Sequence, residues 1–186
     1  MHACSKIIGA RYYYSGSDKE KIKDKETQLA RDYDHHGTHC ASTAAGRMVS
    51  SASVEGLGFG TARGGLPSAR IAVYKICWRN GCGQTEFLAA VDDAIADGVD
   101  IISASTAGEA TDYRMDGHAI AAFHATVNGI LVSMAAGNEG PSKKTVRNNS
   151  PWQLSVASTT TDRKFITKVK LGNGKVYEVR TYVRNY

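Results

Sequence analysis

Between residues 69 and 134 the chain alternates short apolar runs with stretches of helical periodicity, and this alternation restricts the fold more than any other feature. Residues 69–77 are mostly apolar, the pattern of a strand buried on both faces. A helix is expected from a Thr85 cap to residue 97. Phe87, Leu88, Val91, Ala94 and Ile95 share one face of it, Asp92, Asp93 and Asp97 fall largely outside that face, and Gly98 ends it. Residues 99–103 read as a second strand. Residues 116–128 read as a second helix offering Ile120, Phe123 and Val127, and residues 130–134 as a third strand. Strands and helices in alternation with short connections require a parallel sheet with right-handed crossovers, so the fold class is α/β. In such sheets functional groups gather beyond the carboxyl ends of the strands. Two loops qualify, Ser105-Thr106-Ala107-Gly108 and Ala135-Ala136-Gly137-Asn138-Glu139-Gly140-Pro141.

The flanks are less regular. Ile7-Ile8 and Tyr12-Tyr13-Tyr14 suggest a short strand, and the alternating charges of residues 17–26 a solvated loop or short exposed helix. From His36 a run of small residues continues to Gly46, a helix narrow enough to sit deep inside a protein. Gly56-Leu57-Gly58-Phe59-Gly60 and Gly64-Gly65 suggest a long loop. They are a poor phosphate cradle, because no Lys-Ser/Thr follows and no strand leads directly in, so a nucleotide-binding module has little support. Residues 153–158 read as a further strand. Residues 164–171 and 175–179, around Gly172-Asn173-Gly174, read as a β-hairpin, and residues 180–186 show no pattern.

Length and charge set the class of partner. The 186 residues suffice for one domain with a real core. No apolar run approaches the roughly 18 residues of a membrane span, and no apolar signal core follows Met1-His2-Ala3-Cys4-Ser5-Lys6. The net charge of +5 is uneven: both ends are basic, whereas residues 32–162 are acidic. A nucleic-acid footprint would need those basic residues gathered on one face, so neither nucleic acid nor membrane is expected as a partner.

Four cysteines do not make a zinc site here. Cys77 and Cys82 flank Trp78-Arg79-Asn80-Gly81, whose Asn-Gly turn could bring the sulfurs together. One local disulfide, one orphan and one buried thiol is the simplest assignment, leaning toward an oxidising compartment. His36 and His39 lack a third metal ligand, so neither metal nor cofactor is expected. His36, at a helix entrance, suits a general base, and Asn138, between Gly137 and Glu139-Gly140, suits a neutral oxyanion donor. Against this, a single histidine is more often structural, His39 reads as a structural helix residue, and Asn-Glu-Gly-Pro alone is an ordinary turn.

A set of segments in order extends this reading. His36-Gly37-Thr38-His39-Cys40-Ala41-Ser42 resembles the histidine motif of the subtilisin-like serine proteases. Gly60-Thr61-Ala62-Arg63-Gly64-Gly65, Pro67-Ser68-Ala69-Arg70-Ile71-Ala72-Val73-Tyr74-Lys75, Asp92-Asp93-Ala94-Ile95-Ala96-Asp97-Gly98-Val99-Asp100-Ile101-Ile102-Ser103 and Ala136-Gly137-Asn138-Glu139-Gly140-Pro141 are similar to the plant, cucumisin-like branch. Asp162-Arg163-Lys164-Phe165 and Leu171-Gly172-Asn173-Gly174 extend the likeness, which covers roughly residues 4–179.

The resemblance implies a three-layer subtilisin-like parallel sheet flanked by helices, incomplete, with a C-terminal β-hairpin. It implies that His36 is the general base and Asn138 the oxyanion donor. Ser105, Thr106, Ala107 and Gly108 would form the edge that binds substrate backbone, with Ala136 and Gly137 opposite, lining the specificity pocket. Cys77 and Cys82 would form a disulfide, Cys40 a free thiol beneath the histidine helix, and Cys4 would lack a partner. The substrate would be a peptide or protein, and the location extracellular, in the apoplast or cell wall.

The chain also departs from the pattern. The substrate edge commonly carries a glycine where Ala107 stands, His35 stands where a glycine is common, and Met134 occupies a position near the pocket that is usually small or polar. The order expected of such a triad is Asp, His, Ser. No aspartate motif precedes His36, since Asp18, Asp24, Asp32 and Asp34 lie in settings that do not match, and no Gly-Thr-Ser-Met-Ala motif is present. Ser42, Ser103 and Ser105 are not substitutes. Residues 1–179 are therefore expected to be a partial catalytic domain, inactive as an isolated chain, with 180–186 an unassigned tail. The alternative is a non-catalytic truncated product that binds peptides or a parent protease. A partial sheet should also expose apolar surface around Val73, Ile101 and Val132.

Overall fold

The computed structural model describes residues 6–15, 29–79, 81–108, 111–162 and 166–180. Cys4, the charged run at 17–26, residues 163–165 and the tail beyond Arg180 lie outside the described residues. The strands are β1 (Ile7–Tyr12), β2 (Val49–Val54), β3 (Leu57–Ala62), β4 (Ile71–Lys75), β5 (Cys77–Trp78), β6 (Gly81–Cys82), β7 (Ile101–Ala104), β8 (Leu131–Ala135), β9 (Leu154–Val156), β10 (Ile166–Lys170) and β11 (Val176–Arg180). The helices are α1 (His36–Ala45), α2 (Gln84–Asp97) and α3 (Gly117–Val127).

The expected strand–helix alternation from 69 to 134 is present as β4, α2, β7, α3 and β8. The pairing divides, however. β7, β8 and β9 form one parallel sheet, in register from Ile101↔Leu131 to Ala104↔Met134 and from Ser133↔Leu154 to Ala135↔Val156. β1 and β4 form a second parallel pair. Among the described residues no ladder joins β4 to β7, so the parallel sheet is incomplete between them.

The core lies where α2 and α3 pack on one face of the β7–β8–β9 sheet. Phe87, Ala90 and Val91 of α2 meet Ala121, Ala122 and Ala125 of α3 over Val132 and Met134. The three alanines are fully buried, and their small side chains let α3 approach both its neighbour helix and the sheet closely. Each helix ends where a local signal dictates. Gly98 (φ 71°) adopts the left-handed conformation, returning its N–H to α2, while Asn128 caps α3 and Gly129 (φ 78°) follows. The start of α2 differs from the expected Thr85 cap. The helix begins one residue earlier behind Gly83, because Phe87 N–H already bonds the Gly83 carbonyl (3.1 Å).

The acids of α2 are not simply solvated. Arg11 of β1 pairs with Asp93 (3.0 Å) and Asp97 (2.9 Å), while the Tyr13 hydroxyl donates to Asp93 and the Tyr74 hydroxyl to Asp97, both at 2.7 Å. Burial first, then Asp93, pushes the Tyr13 phenol up to about 12. This network fastens the β1–β4 pair to α2.

Two further expectations change. The glycine-rich stretch at 56–60 is a turn and strand rather than a long loop: β2 and β3 form an antiparallel hairpin. Its two turn residues, Glu55 (φ 50°) and Gly56 (φ 81°), both have positive φ, the signature of a tight hairpin turn that closes Val54 on Leu57. The apolar surface expected around Val73, Ile101 and Val132 is also redistributed. Ile101 is 61% exposed, Val73 is half-buried, and Val132 is fully buried because it faces α2 and α3. The opposite face of the sheet, carrying Ile101, Leu131, Leu154 and Val156, stands largely open.

That open face should make the chain self-associate. Binding of an apolar dye and concentration-dependent light scattering are expected at neutral pH. The double substitution I101K/L131K should reduce both while changing stability by no more than about 0.5 kcal/mol, as for other exposed positions. A wild-type chain that stays monomeric and binds no dye would contradict the prediction.

Candidate active site

His36 is the first residue of α1, and the way that helix is held decides where His36 stands. α1 buries little, with Ala45 its only buried residue, so it is not the deeply seated helix that its small residues suggest. Side chains this small remove little area from water, and nothing among the described residues covers the helix. Polar contacts fix it instead. At its entrance the Asp32 carboxylate accepts from the N–H groups of Asp34 (3.0 Å), His35 (2.9 Å) and Thr38 (2.7 Å) and from the Thr38 hydroxyl (2.7 Å). Burial pushes the Asp32 carboxyl up, but the bonds from Thr38, Asp34 and His35 outweigh it and hold the group below its ordinary value. At the exit, Gly64, Gly65 and Leu66 donate their N–H groups to the carbonyls of Gly46, Thr43 and Ala44, all at 2.9 Å. A side chain at Gly64 would collide with Gly46 N and Ser42 O, so this backbone approach requires glycine.

His35 enters the helix at φ 68°, the left-handed region that favours glycine. His39 is exposed on the same helix. Asp32 escaped the sequence reading because it lies four residues ahead of the helix, outside the usual capping spacing. The remaining signal was a pair of acids, Asp32 and Asp34, shortly before a Gly-Thr pair at a helix mouth.

Cys40 joins α1 to the sheet. Its thiol is free, lies 3.7 Å from His36 Nε2 one turn earlier, and donates to the Ser105 hydroxyl at 3.4 Å. Ser105 stands one residue beyond β7, so the histidine is placed beside the carboxyl end of that strand. Asp32 cannot orient the imidazole, since both of its oxygens serve the helix entrance, and no other carboxylate contacts His36 among the described residues.

The two strand exits are tied together by Asn148, a buried residue that the sequence reading missed. Its amide donates to the carbonyls of Thr106 and Ala135, both at 2.8 Å. Nothing in its spacing separates it from the neighbouring Asn149. Ala136 N–H bonds Val156 O (3.0 Å) and Arg147 N–H bonds Ala136 O (2.9 Å), fixing the start of the second loop. Gly137 has φ 94°, and a side chain there would strike Glu139 and Arg147. Glu139 accepts from the Asn138 N–H (3.1 Å), while the Asn138 residue itself is exposed.

Ser105, Thr106, Ala107 and Gly108 on one exit and Ala136, Gly137 and Asn138 on the other thus sit on adjacent parallel strands bridged by Asn148. His36 reaches the first exit through Cys40, and no hydrogen bond joins His36 to Asn138 among the described residues. Met134 is buried in the core instead of facing the loops. Away from this rim, Cys77 and Cys82 are joined by a disulfide across the β5–β6 pair. No group of three or more His, Cys, Asp or Glu residues able to hold a metal occurs among the described residues. No helix there is long and apolar enough to cross a membrane.

Residues 6–182 match the Subtilase family, peptidase S8. The chain belongs to that family. It is 54% identical over 170 residues to the subtilisin-like protease SBT4.15 of Arabidopsis thaliana, covering 91% of this chain and 22% of that protein. It is 49% identical over 185 residues to SBT4.4 of the same plant, covering 97% of this chain and 24% of that protein. The chain therefore spans about a quarter of the length of the curated relatives it matches. Among solved structures, sphericase aligns at 26% identity and a TM-score of 0.48 over 78% of this chain and 44% of that one. The subtilases are serine-type peptidases, and the described residues of this chain form an α/β fold whose parallel sheet is incomplete.

The Asp32 contacts give a prediction. Asp32→Ala should cost about 1 kcal/mol at pH 7, as loss of a helix cap does. Because the folded carboxyl lies below its unfolded value, its contribution is complete above the unfolded carboxylate range and is lost as pH falls through the folded one. The difference between wild type and variant in urea unfolding should therefore vanish at low pH. An equal difference at both ends would refute the assignment.

Proposed function

We propose that this chain is the histidine-and-oxyanion portion of a subtilisin-like serine endopeptidase, and that the 186 residues by themselves do not hydrolyse peptide bonds. His36 is the general base and Asn138 the oxyanion donor. Ser105, Thr106, Ala107 and Gly108 form the edge along which a peptide backbone lies, with Ala136 and Gly137 opposite. In the complete protease, His36 takes the proton of the attacking serine while the Asn138 side-chain amide donates a hydrogen bond to the oxyanion developing from the carbonyl oxygen. The observation that carries this reading is the Cys40 link, which brings the histidine helix to Ser105 on the same rim that Asn148 ties to the Asn138 loop.

Two observations support the proposed inactivity. The sequence holds no serine in a nucleophile motif, and among the described residues no carboxylate contacts His36, so the imidazole has no serine proton to accept and nothing there to fix its tautomer. Losing the nucleophile of such a triad lowers turnover by about 10⁶. The protease names of the plant relatives support peptides and proteins as the substrate class, and the proposed location is extracellular, as the resemblance to the plant branch implies.

A fluorophosphonate probe, which reacts with activated serines, tests the proposal. Incubated with the purified chain, it should leave the intact mass unchanged, and Ser105→Ala should behave identically. Stoichiometric labelling of the wild type would overturn the claim of inactivity.

A further inference from the structure

Beyond the Cys40 contact at Ser105, the edge at residues 105–108 is anchored at two points, and the second is unusual. Asn148 holds its Thr106 carbonyl. Its other end rests on a histidine: a Cβ built on Gly108 would lie 3.2 Å from His118 Nδ1 and 3.4 Å from Cε1, so the bare backbone packs directly on the imidazole. His118, at the start of α3, is 2% exposed, and among the described residues neither ring nitrogen has a hydrogen-bond partner.

We infer that His118 is a neutral wedge beneath the 105–108 edge, and that protonating it releases this edge and the first turn of α3. A buried imidazole without a hydrogen bond is tolerated only while uncharged. Among the described residues, one carboxylate stands near enough to answer a proton's charge. From α3 itself, Asp116 Oδ1 lies 3.5 Å from Nδ1, but that oxygen already receives the His118 N–H at 2.9 Å as the helix cap. From α2 come the Phe87 ring, with centroids 4.6 Å apart, and Gln84, whose Oε1 accepts from Gly117 N–H. The one acid of that turn, Glu86, faces away to the N–H and hydroxyl of Ser15. From the segment before β9 comes the Gln153 amide, which bonds the His118 carbonyl. Along the edge the neighbour is Gly108, and the next residue, Glu109, lies outside the described residues.

Burial lowers the His118 pKa, and Asp116 opposes this only in part. The sign follows from linkage. With the folded value below the unfolded one, the opened form binds the proton more tightly. The closed edge is then fully stable above about pH 6.5 and loses about tenfold in its closing equilibrium for each pH unit below it, until the folded value is reached. The inference rests on the proposed function only in calling 105–108 the peptide edge. The ordering itself does not depend on peptide binding.

Hydrogen exchange by mass spectrometry on the full chain between pH 7.5 and 5.5, corrected for intrinsic rates, tests it. Protection across residues 105–108 and 117–120 should fall, by at most about tenfold, while protection in β8 changes less. His118→Leu and His118→Phe each remove the titration, and at least one should abolish the pH step. NMR of the ring protons should place the wild-type His118 below the ordinary histidine range. A pH step that persists in a folded variant, or a His118 titrating normally with the edge still protected, would overturn the inference. Failure of peptide to bind at neutral pH, with the exchange step intact, would instead count against the proposed function alone.

Discussion

The candidate site depends on the parallel pairing of β7 with β8, and that pairing depends on three alanines. Ala121, Ala122 and Ala125 let α3 pack against α2 and against Val132 and Met134 at once, which clamps the two strands side by side in register. Their carboxyl ends then open on the same side, and the Ser105 and Asn138 loops become neighbours. A larger residue at any of the three would force the helices apart, at a typical cost of 1–3 kcal/mol, roughly. The geometry of the rim thus rests on packing several residues away.

The histidine reaches this rim by a different kind of physics. α1 has almost no buried area to hold it and is positioned by hydrogen bonds at three points: Asp32 at its entrance, the backbone of residues 64–66 at its exit, and Cys40 on Ser105. Such contacts are directional but individually modest, typically about 1 kcal/mol each. The helix is therefore more precisely aimed than it is firmly anchored.

Much of this was legible in the sequence, for physical reasons. The alternation from 69 to 134 is governed by burial, and burial writes a periodic pattern that survives into β4, α2, β7, α3 and β8. Where local backbone chemistry decides, the pattern misleads. The glycines at 56, 58 and 60 read as a loop, yet the Glu55-Gly56 turn folds them into a hairpin. Gly83 rather than Thr85 begins α2, because the first helical N–H groups need only a carbonyl in the right place. The small residues of α1 suggested depth, but small side chains fit an exposed helix equally well.

The contacts that assemble the site were the least visible. Asp32, Asn148 and His118 each act through three-dimensional neighbours at least two residues away in sequence, and no periodic signal marks them. The loops at 105–108 and 135–141 could be found from topology alone, whereas the residues that tie them together could not. The most direct test of the account is a titration of isotope-labelled chain with an extended peptide at neutral pH, followed by NMR and by mass analysis of the peptide in the same sample. Shifts concentrated at residues 105–108, 136 and 137, with the peptide recovered intact, are the predicted result. Cleaved peptide, or shifts confined to other surfaces, would contradict it.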